Sequence, residues 1–154
     1  MGRMSTDTLV PRGCTNLKLR QASRLVTRHY EEHLRGLGLR ITQYSLLSYV
    51  VTLGPTTAGA LAAALKMDAS TLTRNLQPLL QAGWVAVHTG DDARQRVVQA
   101  TDEGRALRAD AQRAWKRAQT ALNERLGAER VARLHALLDD CIAALGEDGA
   151  HDDT

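Results

Sequence analysis

The chain has 154 residues, of which 44% are hydrophobic and only 3% aromatic with no Phe, and its formal net charge is +3. That length suits one main folding unit, because a chain of this size hides roughly 68–70% of its unfolded surface, and apolar content carried mostly by Ala and Leu favours helices over sheets. Cys14 and Cys141 lie far apart without C-x-x-C spacing, which argues against a disulfide scaffold or a zinc site, and no apolar run approaches the roughly 20 residues that a membrane span needs.

The isoelectric point is near 9.2, and Lys is confined to Lys18, Lys66 and Lys116, so the basic charge is mostly Arg. A planar guanidinium suits phosphates and base edges. The same composition also follows from a GC-rich coding sequence, so the position of each Arg matters more than the count. The N-terminus has no basic segment followed by a hydrophobic stretch, and a cytoplasmic protein is expected. Residues 9–13, LVPRG, resemble a protease-cleavage linker, native or otherwise, and stand outside the fold argument.

In chain order, a flexible segment is expected over 1–14. Helical spacing then opens near Thr15, with Leu19, Ala22, Val26 and Tyr30 on one face, and ends near Gly36 and Gly38. Thr42 is the expected N-cap of a second helix through Leu53, too apolar for the surface, which Gly54 and Pro55 terminate. Thr57 can cap a short third helix with Leu61, Ala62 and Leu65 inward. After a turn over 66–69, a fourth helix runs from about Ser70 to Gln81, with Leu72, Leu76, Leu79 and Leu80 inward and Ser70, Thr71, Thr73, Arg74, Asn75 and Gln77 outward. Pro78 interrupts its hydrogen-bond ladder and either kinks it or precedes its end.

Trp84, Val85 and Val87 alternate as a strand does, the turn formers Gly90, Asp91 and Asp92 follow, and Val97 and Val98 return, which predicts a two-stranded hairpin. Asp102 and Glu103 open a long fifth helix carrying Leu107, Ala111, Ala114, Trp115, Ala118 and Leu122, where acidic side chains complement the helix dipole. After Gly127 a sixth helix places Val131, Leu134, Leu138, Cys141, Ile142 and Leu145 on one stripe, and a loose tail is expected over 146–154. The expected fold is therefore mainly α with a small β-hairpin wing. A winged helix-turn-helix over 42–101 is flanked by long helices over 15–36 and 102–145, in one domain spanning 15–145.

A helix that enters the major groove needs short polar side chains and Arg to read base edges, and Arg pairs most often with guanine O6 and N7. Ser70, Thr71, Thr73, Arg74 and Asn75 meet that need, with base reading assigned first to Thr71 and Arg74; the alternative is a merely solvated helix face. Arg94 and Arg96, at and after the hairpin turn, can reach a minor groove or a phosphate, with Asp92 as a brace for Arg94. His29 and His33 sit four apart on one helix, a spacing able to hold a metal. Without a clear third ligand among His88, His135 and His151, a solvated helix face is the expected reading. No ordered catalytic set appears, so neither an enzyme nor a cofactor is expected.

The strings STLTRNLQPLLQAGWV at 70–85 and DDARQRVVQATDEG at 91–104 together resemble the recognition-helix-and-wing signature of the MarR family. Asp92 and Arg94 match its D-x-R wing motif, Thr101 and Gly104 its T-x-x-G, and TQYSLL at 42–47 its second helix. The resemblance covers about 15–145. It implies a triangular homodimer joined through the first, fifth and sixth helices, and the last two carry apolar stripes that one small domain cannot easily bury. It further implies repression at a pseudo-palindromic double-stranded DNA operator, with Arg94 in the minor groove, and release by a small, often aromatic or phenolic, effector. An alternative trigger is oxidation of Cys14, with Tyr44 and Tyr49 as candidate neighbours. A helical interaction module without DNA contacts is the remaining alternative.

Overall fold

The computed structural model describes residues 9–147, so the expected tails fall largely outside it, as does His151. Six helices and three short strands follow in the order α1 (Thr15–Leu34), α2 (Ile41–Leu53), β1 (Thr56–Thr57), α3 (Ala58–Ala64), α4 (Ala69–Gln81), β2 (Val85–Thr89), β3 (Arg96–Ala100), α5 (Asp102–Leu126) and α6 (Ala128–Glu147). The fold is a mainly helical winged helix-turn-helix, as its sequence implies.

Two boundaries differ from the sequence reading. Helix α2 starts one residue before Thr42: Arg40 holds the N-cap position, and its backbone N–H donates to Gln43 Oε1 at 2.9 Å. A reaching Gln three residues into the helix satisfies that end without the Thr42 hydroxyl. The sheet also has three strands, not two, in the antiparallel order β1-β3-β2. Thr56 and Thr57 pair with Val98 and Val97, and β2 pairs with β3 from Val85 opposite Ala100 to Thr89 opposite Arg96. A strand of two residues, the second of which also caps α3, is too short to show a period of two.

The apolar residues divide into two cores. Leu46, Leu47 and Val50 of α2, Leu61 of α3, Leu72, Leu76 and Leu79 of α4, and Val85, Val98 and Ala100 of the hairpin fill the winged unit. Leu34, Leu39, Tyr44, Ala111 and Ala114 form the second, beneath it, where Tyr44 stacks on Trp115 with ring centroids 6.3 Å apart. Trp84 and Leu107 pack against both cores, so the winged unit is fastened to α5 by side chains from each. Large apolar side chains of this kind, withdrawn from water, contribute about 1.5–3 kcal/mol each when fully buried.

The junction of hairpin and α5 rests on Thr101. Its hydroxyl caps α5 by accepting from Gly104 N–H at 3.1 Å and donates to the Gly83 carbonyl at 2.7 Å, while its own N–H donates to the Trp84 carbonyl at 3.0 Å. Gly104 is required by the same contact, because a Cβ there would lie 2.0 Å from the Trp84 oxygen. The wing and the fifth helix are thus set in register by two residues.

Helices α1 and α5 pack through polar groups as well. His29 Nε2 lies 2.8 Å from the Ala118 carbonyl and Tyr30 donates to Gln119, while within α1 His33 Nδ1 lies 2.9 Å from the His29 carbonyl. The solvated face expected for His29 and His33 is therefore corrected: both are half-buried, and His29 ties α1 to a helix 89 residues away. Burial raises the Tyr30 phenol above its ordinary pKa, keeping it a neutral donor to Gln119.

Candidate nucleic-acid interface

Helix α4 follows α3 through a tight turn in which Lys66 takes a left-handed φ of 50° and Met67 N–H donates to the Ala62 carbonyl at 2.9 Å. Asp68 then caps α4. Its Oδ1 accepts from Thr71 N–H and from the Ser70 hydroxyl, both at 2.7 Å, and its Oδ2 accepts from the Thr71 hydroxyl at 2.8 Å. Those hydrogen bonds, led by Ser70 and helped by the nearby charge of Arg74, hold the Asp68 carboxyl down to about 2 from an ordinary 3.8. Asp68 was not singled out in the sequence, although an Asp three residues before Thr71 at the start of an apolar period is an N-cap signal.

The apolar face of α4 is buried at Leu72, Leu76 and Leu79, which fixes the opposite face outward. Ser70, Thr73, Arg74, Asn75 and Gln77 are exposed, and Thr71 is half-buried. The Thr73 hydroxyl donates back to the Ala69 carbonyl at 2.9 Å, and the Asn75 amide approaches the Met67 sulfur at 3.6 Å. The helix continues three residues beyond Pro78, through Gln81, so Pro78 precedes its end. Lacking an N–H, Pro78 leaves the Arg74 carbonyl without its usual helical donor.

The wing turn is held by backbone bonds: Gly90 N–H donates to the Gln95 carbonyl and Gln95 N–H to the Asp92 carbonyl, each at 2.8 Å. Asp92 braces Arg94 through the backbone, accepting its N–H at 3.1 Å, and not through the guanidinium. Arg94 and Arg96 are exposed, and Arg96 shares a small cleft of about 60 Å³ with Thr73 and Gln77 of α4, so wing and helix form one surface. Among the described residues the ion pairs engage Arg28, Arg105, Arg113 and Arg133, and none engages Arg74, Arg94 or Arg96. Arg74, Arg94 and Arg96 are thus left exposed for an anionic partner.

The remaining candidates are dispersed. Cys14 is exposed at the N-cap of α1, whereas Tyr44 is buried against α5 and Tyr49 is exposed on α2. Cys141 is likewise exposed on α6. Among the described residues no three His, Cys, Asp or Glu side chains are grouped as metal ligands, and no helix is long and apolar enough to cross a membrane.

This geometry has counterparts. The family model described as the MarR family matches residues 37–95, which span the second helix to the wing. The chain is 34% identical over 86 residues to the uncharacterized HTH-type transcriptional regulator YwoH of Bacillus subtilis (strain 168), a match over 56% of this chain and 63% of that protein. Among solved structures it is similar to the M. tuberculosis transcriptional regulator MosR in complex with DNA, at 34% identity and a TM-score of 0.74 over 86% of this chain and 98% of that one. A mutant of E. coli MarR complexed with operator DNA superposes with a TM-score of 0.75 at 25% identity, over 82% of this chain and 92% of that chain. The recognition-helix and wing residues, the order of elements around them and a similarity spanning nearly the whole of a 34% identical regulator agree, and the chain belongs to the MarR family of winged helix-turn-helix transcription regulators.

Proposed function

We propose that the chain is a sequence-specific DNA-binding repressor that acts as a homodimer on a pseudo-palindromic operator in the cytoplasm. The observation that carries this reading is the exposure of Ser70, Thr73 and Arg74 on α4 and of Arg94 and Arg96 on the wing, where Arg96 shares a cleft with Thr73 and Gln77 and all three arginines are free of ion pairs among the described residues. Arg74 reads a guanine edge in the major groove, with Thr71 and Asn75 beside it, and Arg94 enters the adjacent minor groove or contacts phosphate. MosR and E. coli MarR, both solved on DNA, support the assignment.

The dimer is supported by apolar side chains that the single chain leaves in water. Leu17, Leu19 and Leu25 of α1 and Leu134, Leu137, Ile142 and Leu145 of α6 are each at least 41% exposed. A small aromatic or phenolic effector between the helical base and the winged unit would act where Trp84 and Leu107 join the two cores. The exposed thiol of Cys14 favours a second reading, oxidative release, in which mild peroxide abolishes DNA binding and Cys14→Ser resists it.

Fluorescence titration of the purified protein against its own upstream intergenic DNA, with unrelated DNA as competitor, tests the main reading. Selective, salt-sensitive binding is expected. Arg74→Ala should cost about 1–3 kcal/mol and relax selectivity, and Arg94→Ala should weaken binding more uniformly and lower the salt slope by about 1. Equal weak binding to every duplex would leave an interaction module instead.

A further inference from the structure

The hydroxyl groups on the outward side of α4 share a property that side-chain identity does not reveal. A hydroxyl carries one proton and two lone pairs, so it can donate once and accept as well. In this chain all three protons are already spent: Ser70 on Asp68 Oδ1 at 2.7 Å, Thr71 on Asp68 Oδ2 at 2.8 Å and Thr73 on the Ala69 carbonyl at 2.9 Å. Hydrogen bonds to an ionised acceptor are roughly twice as strong as neutral ones, so the protons of Ser70 and Thr71 are the harder to withdraw. Asp68 remains ionised, and hence an acceptor only, because its own partners hold its carboxyl down to about 2.

The four base pairs differ in what they offer in the major groove. Adenine N6 and cytosine N4 are donors, while guanine O6 and N7 and thymine O4 are acceptors. A free Ser or Thr serves either kind, but one whose proton is spent can meet only the amines. We infer that Ser70, Thr71 and Thr73 face DNA as acceptors only, so that the front of α4 selects adenine and cytosine, the bases that present an amine in the major groove, with Asp68 as the positioning residue that sets this polarity for Ser70 and Thr71. Arg74, with donors and no acceptor, supplies the complementary half of the reading. The inference rests on α4 being the DNA-reading helix and adds the class of base read beside the Arg74 contact.

The test begins with duplexes selected from a randomised pool by the full chain. Each selected half-site is resynthesised with purine in place of each adenine, or pyrimidin-2-one in place of each cytosine, which removes only the exocyclic amine. The native chain should lose roughly two- to tenfold in affinity at one or more positions in each half-site, the size expected for one hydrogen bond.

Asp68→Asn is the diagnostic variant, because Asn is also a strong N-cap and keeps α4 folded. Its amide nitrogen donates where one carboxylate oxygen accepted, so one of Ser70 and Thr71, but not Thr73, is no longer forced to donate, and the loss at the position it faces should be smaller, with guanine or thymine newly tolerated there. Ser70→Ala provides a second readout, as it should erase the amine dependence at one position only. Indifference of the native chain to every amine deletion, or identical base profiles for the native and Asp68→Asn chains, would overturn the inference while leaving DNA reading intact. Failure to select any duplex would overturn both.

Discussion

Gly104 shows how one residue couples two parts of the molecule. A methyl group there would meet the Trp84 carbonyl at 2.0 Å, and that carbonyl also accepts from Thr101, so neither partner can retreat cheaply. Gly104→Ala is therefore expected to destabilise the fold by about 1–3 kcal/mol or more, the usual range for overpacking, in chemical denaturation. The pattern of Thr101 and Gly104 is visible in the sequence, but the reason for the glycine is not, since the atom it must avoid lies twenty positions upstream. Asp92 is similar: its closeness to Arg94 is legible, whereas its choice of the backbone N–H over the guanidinium depends on how the turn closes. That choice keeps the Arg94 charge available.

Helix α4 is held at its first turn by a charge. Because hydrogen bonds lower the Asp68 carboxyl in the folded chain, its contribution is fully present above the ordinary value of 3.8 and fades as pH falls toward about 2. The Tm of the native chain should accordingly approach that of Asp68→Asn as pH drops through this interval, and above it the native chain should hold a constant advantage. A Tm difference unchanged across that interval would show that the carboxylate does not hold the cap. At this scale the helices and their apolar faces are readable, α4 because a period of three and four recurs through Leu72, Leu76 and Leu79 and α2 because its apolar run is too long for a surface element. What escaped was short or distant: the two-residue strand β1, the Arg40 cap closed by Gln43, and the bond from His29 to Ala118. Periodicity carries no information about a strand of two residues or about a partner 89 positions away.

For the whole molecule, the two cores account for the winged unit and its base, yet α6 contributes little to either. Among the described residues of that helix only Val131 is buried, while Leu137 and Leu145 are 64% and 77% exposed. Leaving such a stripe in water forfeits about 25 cal/mol for each Å² of apolar surface, which a second chain would recover. Leu137→Glu combined with Ile142→Glu should yield a monomer by sedimentation velocity, with the secondary structure of the winged unit retained and operator affinity strongly reduced. An unchanged sedimentation coefficient would place the dimer contact elsewhere. The apolar stripe on α6 was plain in the sequence, and its lack of an internal partner emerged only when the other elements were packed.

The central claim, that two winged units of one dimer read one face of a duplex, is tested most directly by hydroxyl-radical footprinting of the full chain on a selected operator. The account predicts two symmetry-related protected patches with centres about 10–10.5 base pairs apart, the spacing of successive major grooves on one side of B-DNA. Both should weaken together with Arg94→Ala. A single protected patch, or protection spread evenly along the duplex, would contradict it.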